Sequence, residues 1–265
     1  MADLHALRDR LRSLDSVVVA FSGGADSSLL AYVAHDTLGD RALAVTAVSP
    51  SLAGREHDDC RRLAAEWGMP WQEVDTEEMA NAAYRRNDTD RCYHCKDALM
   101  DALGPISRQR GATPMLGVNL DDLDDHRPGQ RAAAEHGAVF PLVEAGFTKD
   151  DVRRVSRQLG LRTWDKPAAP CLASRLPYGT PVTLGRLRSV EAAEDALRTL
   201  GFEQLRVRHH GDLARIELPA DRLAEAAGRH DEITEVVRAA GYRFVSLDLA
   251  GLRSGSLNEG ITPTS

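Results

Sequence analysis

The stretch Val17-Val18-Val19-Ala20-Phe21-Ser22-Gly23-Gly24-Ala25-Asp26-Ser27 decides how this chain reads. Its first five residues are a pure β run, and a helical pattern, Ser28–His35, opens at its end. Between the two, the paired glycines let the backbone approach a ligand and turn its N–H groups inward. A helix starting there adds partial positive charge and donors that have no intrahelical partner. Ser22 and Ser27 can donate further hydrogen bonds, and Asp26 can position a magnesium ion. These features describe an anion cradle between strand and helix. It is not one of the common nucleotide loops, since neither G-x-x-x-x-G-K-[ST] nor G-x-G-x-x-G occurs here.

Outward from this loop, residues 17–170 alternate short apolar strands with helical patterns. That alternation predicts an α/β fold, a parallel five-stranded sheet with helices on both faces. The strand candidates are Val17–Phe21, Ala42–Val48, Trp71–Val74, Pro114–Val118 and Ala138–Leu142. Ser27–His35, Arg55–Trp67, Lys96–Arg108 and Pro128–His136 read as helices, and Thr148 with Asp151 caps another, Thr148–Gly160. A Pro-rich segment from Lys166 to Pro177 breaks the pattern. Beyond it come a helix at Leu184–Leu200, strands at Gln204–His209 and Leu213–Leu218, a helix at Ala220–Ala240 and a strand at Phe244–Leu249. The chain thus divides into a domain over 1–170 and a small α+β domain over 171–265, with a loose polar end at Gly255–Ser265.

The 265 residues carry a formal net charge of −7, which speaks against a broad nucleic-acid footprint. No run approaches the roughly 18 apolar residues of a membrane span, and Met1–Leu14 is charged and helix-like rather than a signal peptide. The expectation is a cytoplasmic protein with no membrane and no nucleic-acid partner.

Four cysteines in such a chain point to metal or sulfur chemistry before disulfides. Cys60 shares one apolar helix face with Leu63, Ala64 and Trp67 and reads as a small core residue. Cys92 and Cys95 form a C-x-x-C in polar surroundings, which suits a redox pair, half a zinc site or part of an iron–sulfur site. A second close pair for zinc is missing. With Cys171, three cysteines can hold three irons of a [4Fe–4S] cluster and leave the fourth open.

In the C-terminal part, Arg206 and Arg208 alternate along a strand and so share a face. Two adjacent guanidiniums call for an anion between them, and their forks suit phosphate. Arg253 stands in a glycine-flanked loop able to close on the same anion, whereas a solvated face paired with Glu203, Glu217 or Asp212 is the plainer alternative. His209 and His210 read as surface residues.

The hexapeptide Ser22–Ser27 resembles the PP-loop of ATP pyrophosphatases, with Ala25 where that pattern has a larger apolar residue. The resemblance implies an adenine nucleotide alpha hydrolase-like fold in which Ser22, Gly23, Gly24, Asp26 and Ser27 grip the pyrophosphate of ATP. It also implies that Val48 lies near the adenine, and that Asn119 and Asp122 border the reaction centre, with Asp26 and Asp122 on magnesium. Together with Arg91-Cys92-Tyr93-His94-Cys95-Lys96 and Pro170-Cys171-Leu172-Ala173-Ser174-Arg175, the loop is similar to the LarE family of ATP-dependent sulfur transferases. Those enzymes make the nickel-pincer nucleotide cofactor.

That resemblance implies adenylation of a carboxylate of pyridinium-3,5-biscarboxylic acid mononucleotide, followed by insertion of sulfur to give a thiocarboxylate. Arg206, Arg208 and Arg253 would hold the substrate phosphate, with Ser174, Arg175, Glu194 and Glu217 as further matching positions. Sulfur would come from Cys171 itself or from a [4Fe–4S] cluster on Cys92, Cys95 and Cys171, the three-cysteine pattern fitting the cluster type. The family likeness further implies ATP and Mg2+ as cofactors, a small nucleotide substrate, a sulfide donor and a homo-oligomer built through the second domain. A tRNA thiolase and a non-catalytic ATP-binding module are the other readings. The first would bind tRNA tightly, and the second would bind ATP without turnover.

Overall fold

The computed structural model describes residues 3–123 and 128–253. The chain forms two compact units, one from residues up to 84 and 90–169, the other from 85–89 and 170 onward. Its helices are α1 (Leu4–Arg12), α2 (Ala25–Leu38), α3 (Gly54–Trp67), α4 (Ala82–Arg86), α5 (Arg91–Arg110), α6 (Pro128–Glu135), α7 (Pro141–Glu144), α8 (Lys149–Gln158), α9 (Leu184–Thr199), α10 (Leu223–Gly228) and α11 (His230–Ala239). The strands are β1 (Val17–Ala20), β2 (Ala42–Val48), β3 (Trp71–Asp75), β4 (Thr113–Leu116), β5 (Arg206–His210), β6 (Leu213–Glu217) and β7 (Phe244–Leu247).

The first unit is the doubly covered parallel sheet that the alternation predicts, in the order β3-β2-β1-β4. In β1, Val17 and Val19 face one core with Leu29, Leu30 and Val33 of α2. Val18 faces the opposite core with Leu43, Val45, Met100 and Leu103. Apolar residues on both faces are what a central parallel strand needs, and each fully buried Val or Leu contributes roughly 1.5–3 kcal/mol. The fifth strand expected at Ala138–Leu142 is reduced to one bridge, Val139 beside Met115. Pro141 explains the loss, because it has no N–H for a ladder and its fixed φ suits the first turn of a helix, where it begins α7. The predicted cap of α8 is present as a reciprocal box, with the Thr148 hydroxyl accepting from Asp151 N–H and the Asp151 carboxylate accepting from Thr148 N–H.

The second unit pairs β5 and β6 antiparallel and adds β7 parallel to β6. Its core joins Leu197 of α9, Val207, Ile216, Ile233, Val237 and Tyr242. The single helix expected at Ala220–Ala240 is broken at Gly228–Arg229 into α10 and α11. Asn87 belongs to this unit, fully buried at φ +61, with its amide donating to the carbonyls of Pro177 and Thr180 at 2.9 Å each. The polar end at Gly255–Ser265 lies outside the described residues. No helix among the described residues is long and apolar enough to cross a membrane.

Candidate functional site

The loop after β1 has a backbone that only glycine satisfies. Gly23 takes φ +67, and a Cβ there would lie 3.0 Å from the Cys60 sulfur and 3.6 Å from Lys166 Nζ. Gly24 is the N-cap of α2 and offers no side chain to bond the first-turn N–H groups. Those donors therefore face the loop without intrahelical partners. The hydroxyls of Ser22 and Ser27 lie 3.1 Å apart across the turn, and Ser27 Oγ donates to Gly24 O at 3.2 Å. Ser22 is exposed and Ser27 buried, so the cradle has a closed floor and an open rim. A polyphosphate fits this arrangement because it supplies the acceptors that the first-turn N–H groups lack.

Asp26 points to the neighbouring loop after β4. The Asn119 amide donates to its Oδ1 at 2.8 Å, while Asn119 and Asp122 cap each other reciprocally. Burial pushes the Asp26 carboxyl above its ordinary range, and the nearby Asp122 charge adds to the shift. Two carboxylates held close and one of them reluctant to ionise suit a divalent cation, which would lower the cost of both charges. Among the described residues no group of three or more His, Cys, Asp or Glu side chains is gathered to hold a metal. A magnesium ion here would take two carboxylates and complete its shell with phosphate oxygens and water. Gly117 brings the two loops together, since a Cβ on it would fall 2.7 Å from Ser27 N. Val48 ends β2, partly buried at the same C-terminal edge of the sheet, where parallel α/β folds bind ligands.

Sequence reasoning missed the charged strut under this loop. Lys166 Nζ donates to Gly23 O at 3.0 Å and to Asp59 Oδ2 at 2.7 Å, and it lies 2.8 Å from Glu56 Oε2. Arg162 in turn bonds Asp59 and Glu66. Burial pulls the Lys166 ammonium down, but its bonds to the two carboxylates outweigh that and hold its pKa above the ordinary lysine value. The only hint in the sequence is that Lys166 opens the Pro-rich segment. Cys60 is fully buried, as its helix face implies, and burial pushes its thiol up to about 11. It is a packing residue beneath Gly23.

Cys92 and Cys95 lie three residues apart at the start of α5, Cys92 exposed and Cys95 half-buried. Both sulfurs sit on one helical turn, a spacing suited to two thiolate ligands. Cys171 belongs to the second unit, half-buried at the N-cap of the 3-10 turn Leu172–Arg175.

In the second unit the arginines and acids form one buried network. Arg175 grips Glu194 in a fork, at 2.8 and 3.2 Å, and its Nη1 donates to Pro170 O at 2.6 Å. Arg198 and the Val207 N–H also donate to Glu194. Burial alone would push Glu194 up, but the charge and hydrogen bonds of Arg175, with Arg198 and Val207, hold it below its ordinary range. Arg208 forks onto Glu217 at 3.0 Å twice, with the two side chains 4% and 0% exposed, and its third nitrogen donates to Ser174 O at 2.8 Å. The plainer reading is thus met for Arg208 in its pairing with Glu217 but not in its solvation, and the guanidinium expected to hold phosphate is taken up by that carboxylate. His209, read as a surface residue, is buried against Tyr242, whereas His210 is exposed.

Arg206 differs from its neighbours. It is half-buried, makes no ion pair among the described residues, and donates through Nη1 to the backbone oxygen of Arg253 at 3.0 Å. Burial and the charges of Arg208 and Arg175 hold its pKa below the usual arginine value. An anion placed beside Arg206 would offset both of these penalties. Arg253 leans on Asp248 at 3.5 Å beside it.

Comparison with known proteins finds a family match to the N-terminal part of the chain and relatives along most of it. Residues 5–109 match the NAD synthase family. An uncharacterized protein of Synechocystis sp. is 45% identical over 98% of both chains. The pyridinium-3,5-bisthiocarboxylic acid mononucleotide synthase of Lactiplantibacillus plantarum is 40% identical over 95% of this chain and 92% of its own. A tRNA-specific 2-thiouridylase of Rickettsia felis is 27% identical, over 57% of this chain and 52% of its own.

Proposed function

The chain belongs to the LarE family, that of the pyridinium-3,5-bisthiocarboxylic acid mononucleotide synthase, and from that premise we propose the reaction it performs. It is an ATP-dependent, sulfur-transferring enzyme that acts on pyridinium-3,5-biscarboxylic acid mononucleotide. The observation that carries the reading is the loop after β1. There an obligate left-handed Gly23, an open helix N-terminus at Gly24 and the Asn119-held Asp26 share one turn.

In the first step a substrate carboxylate oxygen attacks the α-phosphorus of ATP, and pyrophosphate leaves. Ser22, Gly23, Gly24 and Ser27 hold the leaving group, while Asp26 and Asp122 would hold the magnesium that neutralises its charge. In the second step sulfur attacks the activated acyl carbon and AMP leaves: a sulfide gives the thiocarboxylate directly, whereas the Cys171 thiolate gives a thioester, whose Cβ–S bond then breaks with loss of the Cys171 α-proton, releasing the thiocarboxylate and leaving dehydroalanine. Arg206, with Arg253 beside it, takes the substrate phosphate. Arg208, Glu217, Arg175 and Glu194 brace that strand face and the turn that carries Ser174 and Cys171.

In this proposal the sulfur comes from Cys171 itself or from a sulfide carried on a cluster that Cys171 helps to hold. Cys92, Cys95 and Cys171 would hold a [4Fe–4S] cluster, whose open iron would supply a place for exchangeable sulfide. The exposed Cys92 and half-buried Cys95 on one turn suit such ligation. A sulfide donor and assembly into a homo-oligomer belong to the same proposal.

The test is pyrophosphate release by the purified protein with ATP, Mg2+ and the biscarboxylic mononucleotide. Release that needs the mononucleotide is the expected result. Sulfur transfer that proceeds without ATP cleavage would overturn the adenylation step.

A further inference from the structure

Three contacts of one ammonium lie directly beneath the phosphate loop, and the adenylation reading leaves them unused. Lys166 Nζ reaches Glu56 Oε2 at 2.8 Å, Asp59 Oδ2 at 2.7 Å and Gly23 O at 3.0 Å. An ammonium has three donors, so this set is complete. Two carboxylates also cancel its charge, and Arg162 steadies Asp59 from the other side at 2.7 Å. Lys166 is nearly buried, at 16% side-chain exposure, and so are its partners at 14% and 12%. A lysine that serves phosphate as a point charge keeps that charge uncompensated. This one does not.

What Lys166 fixes is a peptide plane. The carbonyl it holds belongs to the Gly23–Gly24 peptide, which is trans, so the Gly24 N–H points the opposite way, away from Lys166. Flanked by two glycines, that peptide is the least restrained in the loop, and nothing in its own side chains keeps it from flipping. We propose that Lys166 is a positioning residue for ATP cleavage, which locks the Gly23–Gly24 peptide so that its N–H faces the pyrophosphate, and which does not itself touch the phosphates. Glu56 and Asp59 complete the device by holding the ammonium in place. The inference rests on the ATP reading of the loop.

Binding measurements on the full chain separate the two claims. Calorimetry with ATP, inorganic pyrophosphate and adenosine, each with Mg2+, compares wild type with Lys166→Met. The expected result is about tenfold weaker binding of ATP and of pyrophosphate in the variant, the loss of one well-placed hydrogen bond, with adenosine affinity unchanged. Asp59→Asn, which loosens the ammonium without removing it, should lower phosphate affinity in the same direction by a smaller factor. This variant serves if Lys166→Met does not fold. Equal ATP affinity in wild type and both variants would overturn the inference, as would an equal loss for adenosine, which marks general damage. A wild type that binds neither ATP nor pyrophosphate would instead sink the ATP reading, and the inference with it.

Discussion

The side-chain amide of Asn119 donates to Oδ1 of Asp26 across 2.8 Å, tying the loop after β4 to the phosphate loop after β1. The bond is all the more informative because Asp26 is held with a raised pKa, by burial first and then by Asp122. A carboxyl raised above its unfolded value is easier to keep protonated in the folded chain. At neutral pH its ionised form therefore costs stability, and that cost fades as pH falls through the raised value and is gone below the ordinary one. Asp26→Asn should accordingly raise the melting temperature of the nucleotide-free protein while lowering pyrophosphate release by about 100-fold or more. A melting temperature that falls would show that the carboxylate supports the empty fold. For the wild type, Mg·ATP binding should fade on acidification at a higher pH than an ordinary carboxylate would dictate, which a binding titration against pH checks.

Gly117 has no such electrostatic role, yet it is equally constrained. A Cβ on it would sit 2.7 Å from Ser27 N and 2.8 Å from the carbonyl carbon of Asp26, both backbone atoms that cannot swing aside. Gly117→Ala must therefore push the start of α2 away from β4. The expected cost is about 1–3 kcal/mol of stability, together with weaker ATP binding. Chemical denaturation and calorimetry read the two effects separately. Unchanged ATP affinity in a destabilised variant would mean that the cradle does not depend on this close approach.

Asp26 stands in a motif that the sequence displays, because the phosphate loop is a local device in which six consecutive residues carry strand end, turn and helix start. The parallel sheet is legible for the same reason, each strand being a short apolar run. What the chain hides is contact between distant segments. Lys166 and Gly23 are 143 residues apart, and Lys166 and Asp59 are 107 apart, so no window of sequence shows the strut under the loop. Alternation along β5 places Arg206 and Arg208 on one face but does not say which acid each one meets. In the register Glu217 lies opposite Arg206, yet its carboxylate pairs diagonally with Arg208. The lost fifth strand was visible in principle, since Pro141 stands inside it.

That diagonal pairing separates two arginines that look alike in sequence. Arg208→Ala would take the fork away from the fully buried Glu217, leaving Arg215, at 3.1 Å, as a partial substitute. The expected loss is about 3–5 kcal/mol of stability, with function lost alongside. Arg206→Ala removes a cation that its surroundings already disfavour, so the melting temperature should hold or rise. Affinity for the mononucleotide should nevertheless fall by roughly 10- to 100-fold, as expected for one charge-assisted phosphate contact. If both variants lose stability equally and bind the mononucleotide as the wild type does, the phosphate site lies elsewhere.

The cysteines carry a prediction that divides the two sulfur sources. Adenylation draws on the phosphate loop and on none of the sulfurs, so Cys92→Ala and Cys171→Ala should both release pyrophosphate at close to the wild-type rate. Thiocarboxylate formation should vanish in Cys171→Ala whichever source operates. Cys92→Ala is the variant that discriminates, because Cys92 is exposed at the start of α5, where loss of its side chain leaves the core intact. After anaerobic reconstitution with iron and sulfide, the wild type should hold about four irons per chain and absorb broadly in the visible, and Cys92→Ala should do neither. Product formation would then continue beyond one equivalent in the wild type when sulfide is supplied. A wild type without iron that still makes one thiocarboxylate per chain would assign the sulfur to Cys171 itself, and mass spectrometry would find that residue lighter by the mass of one hydrogen sulfide.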